Sequence, residues 1–234
     1  MKTAILITGQ IRNAKECADS IRAKIIEPYN ADVFIDTWTP ESKIIGSNER
    51  VFANDASPDE IISLYKPKIA IFEDFNTSPV FNNIKYNVTN KRNWSTGYDG
   101  SYAHETKLEN VFYMYYKIWR CFQNVVHYED INNFKYDVII RMRFDLLFDS
   151  FQVIDVKPNT IYIPIGRDFR GGDNDQMSMG SRDAMGKVCL LFTKLVEYAN
   201  KNIGLHPESV FRKHIEINDI SVIRFPVKYT LRES

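Results

Sequence analysis

Tyr136-Asp137-Val138-Ile139-Ile140-Arg141-Met142-Arg143-Phe144-Asp145-Leu146-Leu147-Phe148-Asp149 is the stretch whose reading decides the fold. Taken at the period of a strand, the even positions Val138, Ile140, Met142, Phe144, Leu146 and Phe148 are all apolar, while the odd positions bring Arg141, Arg143 and Asp145 in succession. So apolar a strand belongs in the interior of a sheet, where charge is costly to desolvate unless it is paired or used on a ligand. The pattern predicts one continuous interior strand over residues 136–148, with Val138, Ile140 and Phe144 in the core and Arg141 and Asp145 beside a cleft. Asp145 suits Mg²⁺ or Mn²⁺ through a carboxylate oxygen, with the arginines gripping a diphosphate or holding Asp145 in place. An internal Arg–Asp ion-pair ladder would use the same residues.

On both sides of this stretch strand and helix patterns alternate, which predicts an α/β fold with a mixed, largely parallel sheet flanked by helices. Residues 2–8 and 31–38 read as buried strands, and Gly9-Gln10-Ile11-Arg12-Asn13 turns the first of them into a helix with the stripe Cys17, Ala18, Ile21 and Ile25. Ser57-Pro58-Asp59-Glu60 combines a Ser cap, Pro at the first helical position and Glu three residues after the cap, a strong helix start. Residues 68–75 follow as a third strand. Residues 76–107 show no sustained period, which predicts a lid or an acceptor-contacting insertion, with Trp94, Tyr98 or Tyr102 free to stack on a sugar. A long amphipathic helix over about 109–127 then presents Val111, Tyr115, Ile118, Phe122 and Val125, a face for the core. Beyond the diagnostic strand come a short strand at 160–165, a helix capped by Ser181, a helix opening at His206-Pro207-Glu208, a last strand at 220–225 and a tail.

Composition narrows the function classes. Lys plus Arg and Asp plus Glu balance at 30 each, so no global field steers the chain onto nucleic acid and any basic patch is local. The 234 residues suffice for one large domain with a filled core. The first apolar run is too short for a signal peptide and no window approaches a membrane span, so a soluble, cytoplasmic protein is expected. Cys17, Cys121 and Cys189 lack metal-type spacing and read as buried free thiols.

Four groups of residues carry candidate chemistry. Gly9, Gln10 and Arg12 stand where the first strand ends, the place where an open α/β sheet receives phosphate; a Gly turn with a solvated Arg fits the same residues. The Arg141, Arg143 and Asp145 face is the second group. In Gly171-Gly172-Asp173-Asn174-Asp175-Gln176 two glycines permit close backbone approach, and Asp175 is placed to act as a base beside the hydroxyl-binding types Asp173, Asn174 and Gln176. His206 and Glu208 complete the set, with Pro207 at a helix start.

In their order, Thr-Gly-Gln-Ile-Arg (residues 8–12), Asp-Val-Phe-Ile-Asp-Thr-Trp (32–38), the Arg-Met-Arg-Phe-Asp strand, Gly-Gly-Asp-Asn-Asp-Gln and His-Pro-Glu resemble bacterial and viral polysaccharide glycosyltransferases of the lipopolysaccharide-synthesis type. The resemblance implies a GT-A-like fold, with a nucleotide-sugar-binding half over about 1–149 and an acceptor half over about 150–234. It implies that Gly9 and Arg12 sit near the nucleotide, that Asp145 takes the metal position for Mn²⁺ or Mg²⁺, and that Asp175 lies with Gln176 near the transferred sugar; on their own chemistry Gln10, Arg141 and Arg143 join the donor side and Asp175 is the expected catalytic base. Asp173, Asn174, Gln176, His206 and Glu208 would line the sugar and acceptor side. The function expected is transfer of a sugar from a nucleoside-diphosphate sugar to a glycan acceptor of a surface or capsid polysaccharide. The chain departs from the fold's usual Asp-x-Asp, because Arg143 stands where the first carboxylate belongs. A catalytically silent nucleotide- or glycan-binding module and a nucleotide-sugar hydrolase are the alternatives.

Overall fold

Apolar runs bounded by turn residues build the sheet, and amphipathic helices cover its two faces. A computed structural model of the chain describes residues 1–39, 56–75, 78, 98–100 and 108–232. Its elements are β1 (Thr3–Gly9), α1 (Ala14–Ile21, continued by a π turn over Arg22–Ile26), β2 (Asp32–Trp38), α2 (Pro58–Tyr65), β3 (Ile69–Glu73), α3 (Leu108–Ile131), β4 (Val138–Met142), β5 (Leu146–Ser150) and β6 (Thr160–Pro164). After these come β7 (Met177–Ser181), α4 (Arg182–Cys189), a 3₁₀ turn (Leu190–Lys194), α5 (Leu195–Asn200), α6 (Pro207–Ile217), β8 (Ser221–Phe225) and β9 (Lys228–Leu231). The lid expected over 76–107, with Trp94 and Tyr102, lies outside the described residues apart from 78 and 98–100. Tyr98 is described, and its hydroxyl donates to Glu216 Oε1 at 2.7 Å.

Among the described residues seven strands form one sheet in the order β3-β2-β1-β4-β7-β6-β8. The first four are mutually parallel, β7 runs antiparallel to both its neighbours, and β8 is parallel to β6. The mixed α/β architecture expected from the sequence is therefore present. Strand alternation divides the core into two layers. Ala4, Leu6, Phe34 and Ile139 face α3, α4 and α6, whereas Ile5, Ile7, Ile35 and Ile140 face α1 and α2. Both layers are buried, which is why the central strands read as continuous apolar runs. At α2 the Ser57 hydroxyl accepts from Glu60 N and the Glu60 carboxylate accepts from Ser57 N, the capping box legible in the sequence.

The diagnostic stretch differs from its expectation in one respect. It is two strands rather than one: β4 ends at Met142, the chain turns at Phe144 and Asp145, and β5 pairs antiparallel with β9 in a separate two-stranded sheet. Val138, Ile140, Met142, Phe144, Leu146 and Phe148 nonetheless all enter the same core layer. The alternation thus reports which face is buried, and the turn preserves that face while changing the pairing partner. The tail beyond Phe225 is likewise not irregular, since β9 is what β5 pairs with.

Candidate functional site

The chain passes from β1 outward to β2 and β3, then returns through α3 to place β4 on the other side of β1. In an open α/β sheet such a reversal leaves a crevice outside the carboxyl ends of the two diverging strands, where ligands bind. A cleft of about 200 Å³, open to solvent, stands at this point. It is lined by Thr8, Gly9, Gln10 and Arg12 after β1, by Trp38 at the end of β2, by Arg141, Arg143 and Asp145 at the end of β4, and by Asn110, Tyr113 and Met114 from the first turns of α3.

Local backbone chemistry explains how these side chains converge. Gly9 takes φ +107°, a region that favours glycine, and its carbonyl accepts from Thr37 Oγ1 at 2.6 Å, which pins the turn to β2. Gln10 Oε1 accepts from Arg12 Nε at 2.6 Å, so the two cleft residues hold one another. Arg143 forms a two-pronged pair with Asp145, Nε to Oδ1 at 2.9 Å and Nη2 to Oδ2 at 2.5 Å. Burial works against the Arg143 charge, and the Asp145 carboxylate outweighs it, so the guanidinium is held more firmly protonated than usual. Arg141 is 5% exposed; its Nη1 donates to the Asp175 main-chain carbonyl, while its Nε has no partner. Thr8 Oγ1, also lining the cleft, is a second buried polar atom without a partner. Orphaned buried groups are uncommon enough to need a reason, and a ligand that completes them is one.

Asp175, His206 and Glu208 gather behind the arginines without lining the cleft themselves. The loop that carries Asp175 lies against the start of α6: a Cβ on Gly172 would come within 2.2 Å of the Glu208 carbonyl carbon, and Asp173 N donates to Glu208 O at 3.2 Å. The first turn of α6 is fixed in turn by the Tyr115 hydroxyl, which donates to Pro207 O at 2.9 Å. Burial, reinforced by the neighbouring Glu208 carboxylate, raises the Asp175 carboxyl to about 7, against the pull of Arg141, Arg143 and His206. His206 Nδ1 lies 3.0 Å from Glu208 Oε2 but out of line for a hydrogen bond. His206 caps α6 through its position alone, with no side-chain cap bond.

The other residues expected on the sugar side are committed to the scaffold. Asp173 pairs with Arg224 at 3.1 Å. Asn174 is fully buried, donating to Gly166 O at 3.0 Å and making a 2.8 Å contact with the Tyr229 hydroxyl, while its Oδ1 accepts from Gln176 N at 2.9 Å. Gln176 Oε1 accepts from the Tyr229 hydroxyl at 3.0 Å. These three residues brace the loop between β6 and β7 and thereby fix Asp175.

Tyr113, which lies off the core stripe expected for α3, lines the cleft and packs on Phe75 at 4.3 Å, beside Trp38. Asn110, Tyr113 and Met114 fall off the stripe of Val111, Tyr115 and Ile118, and that offset is the signal that marks them. A buried ion cluster beneath Trp38 also went unread. Lys117 Nζ, 3.7 Å from the Trp38 ring centroid, lies 3.0 Å from Asp36 Oδ1 and 2.9 Å from Glu73 Oε2. Arg120 closes the cluster, with Nε 2.5 Å from Asp36 Oδ2 and Nη1 2.6 Å from Glu73 Oε2.

The Asp145 position offers a divalent cation a poor seat. Each carboxylate oxygen already accepts from Arg143, so a cation there would have to share the carboxylate with a guanidinium of the same charge sign. Among the described residues no group of three His, Cys, Asp or Glu side chains is placed to hold a metal.

Residues 108–231 match a domain of unknown function, DUF7796, and so more than half of the chain. The chain belongs to the DUF7796 family. The DUF7796 match takes in Arg141, Arg143, Asp145, Asp175, His206 and Glu208, together with the cleft wall of α3, and leaves Gly9, Gln10, Arg12 and Trp38 outside it. No curated protein matches the chain. Among the described residues no helix is long and apolar enough to cross a membrane.

Proposed function

We propose that this protein is a glycosyltransferase of GT-A-like fold that moves a sugar from a nucleoside-diphosphate sugar to a glycan hydroxyl, in the synthesis of a surface or capsid polysaccharide. The observation that carries the reading is Arg141, a buried guanidinium with an unpartnered Nε that helps line a cleft at the point where the strand order reverses. Arg12 and Arg143 line the same cleft, which suits a diphosphate. Trp38 and Tyr113 supply aromatic surface for a base. In the reaction the acceptor oxygen bonds to the anomeric carbon as the bond from that carbon to the diphosphate oxygen breaks, and the electron pair leaves with the diphosphate. The acceptor proton is assigned to Asp175, which stands behind the cleft-lining arginines, so the acceptor hydroxyl has to enter past them to reach it. A carboxyl raised toward neutrality is a stronger base than an ordinary one and still ionises at cellular pH.

A thermal-shift panel tests this reading. Nucleoside diphosphates and their sugars should raise the melting temperature selectively, one base family above the others, in proportion to occupancy. A flat panel at millimolar ligand overturns it.

A further inference from the structure

The Arg143–Asp145 pair presents its cation to the cleft and hides its anion. The Arg143 side chain is 27% exposed and that of Asp145 3%. A ligand that enters therefore meets the guanidinium first, with the carboxylate behind it. The fork uses Arg143 Nε and Nη2 and both oxygens of Asp145, and it leaves Arg143 Nη1 outside the pair. Arg141 adds a buried guanidinium whose Nε is unpartnered and Arg12 a third, so that among the described residues the cleft lining holds three guanidiniums and one carboxylate, already paired with Arg143.

Resting on the nucleotide-sugar reading, we infer that the diphosphate is held and its departing charge neutralised by Arg143, Arg141 and Arg12, and that no divalent cation takes part. Asp145 serves as a positioning residue: it fixes the guanidinium plane of Arg143 so that its remaining N–H groups point at phosphate oxygens. A guanidinium so held loses little rotamer freedom when ligand binds, and it matches two phosphate oxygens at once where an ammonium would not. The charge that a metal would carry is built into the strand end.

The test is calorimetric titration of the full-length protein with UDP, GDP, ADP and dTDP, each in EDTA and again with excess Mn²⁺. The inference predicts that whichever diphosphate binds does so with the same affinity, within about twofold, in both buffers, and that Mn²⁺ alone leaves the melting temperature unchanged. Arg143→Gln should weaken that binding at least about tenfold in EDTA. Arg143→Lys, which keeps the charge but loses the fork, should weaken it nearly as much and guards against a variant that fails to fold. Binding that appears only with Mn²⁺, or tightens tenfold or more with it, overturns the inference while leaving the nucleotide-sugar reading standing. An absence of binding in both buffers overturns both.

Discussion

Arg141 Nη1 donates to the main-chain carbonyl of Asp175, which ties the end of β4 to the loop that leads into β7. One side chain thus serves two ends: it seats the loop that carries the candidate base and helps line the cleft. Arg141→Lys keeps the charge and removes both arrangements. It should lower nucleoside-diphosphate affinity at least about tenfold and cost about 1–3 kcal/mol of stability through the lost buried hydrogen bond. Titration calorimetry and urea denaturation of the variant check the two effects separately.

The raised carboxyl of Asp175 makes a prediction about pH. In the unfolded chain this group ionises near its ordinary value of 3.8, and in the fold near 7. Between those values the native state keeps a proton that the unfolded state has released, so the contribution of Asp175 to stability is full below pH 4 and is lost as pH rises through 7. Asp175→Asn removes the effect. The variant should melt close to the wild type at pH 4 and above it at pH 8, the gap opening across that interval; a gap that is constant with pH would show that the carboxyl is not raised.

Gly172 is where the Asp175 loop meets α6. An added Cβ would lie 2.2 Å from the Glu208 carbonyl carbon and 2.4 Å from its oxygen, both backbone atoms that yield only if the helix start moves. Gly172→Ala should therefore cost about 1–3 kcal/mol, read as a lower urea midpoint. Because the loop it shifts carries Asp175, turnover should fall as well.

The ion cluster under Trp38 predicts a stability defect at a distance from the chemistry. Lys117→Met removes the cation shared by Asp36 and Glu73, of which Asp36 is fully buried, together with its contact on the Trp38 ring. Removing one partner of a buried ion pair costs about 3–5 kcal/mol; Arg120, still bound to both carboxylates, places the expected loss near about 3 kcal/mol. Denaturant unfolding checks it.

Local patterns that repeat were legible in the sequence, and pairings between distant segments were not. The two-faced reading of Val138 to Phe148 put the apolar side chains on the side they occupy, because burial on one face leaves a period of two whatever the strand pairs with. It missed the turn at Phe144 and Asp145, since the same alternation runs across it. Strand β9 carries only four residues, and its partner β5 lies about 80 positions earlier in the chain, so nothing local announces it. The Gly172 contact, the Asn174 bonds to Gly166 and Tyr229, and the Asp36–Lys117 pair all join separate elements and leave no periodic trace. Arg141, by contrast, was exposed by its setting: a charge flanked by Ile140 and Met142 in a buried strand must be paired or used, and here its Nη1 is paired with the Asp175 carbonyl.

The most direct test is release of nucleoside diphosphate from a panel of nucleotide sugars, followed with and without a mixture of glycan acceptors, for the wild type and Asp175→Asn. The account predicts that at least one donor is turned over only when acceptor is present, with the sugar mass added to the acceptor, and that Asp175→Asn lowers this rate by about a hundredfold or more while donor affinity stays near wild type. Release of equal size without acceptor would make the protein a hydrolase, and donor binding with no turnover across the panel would make it a silent binding module; either result would contradict the account.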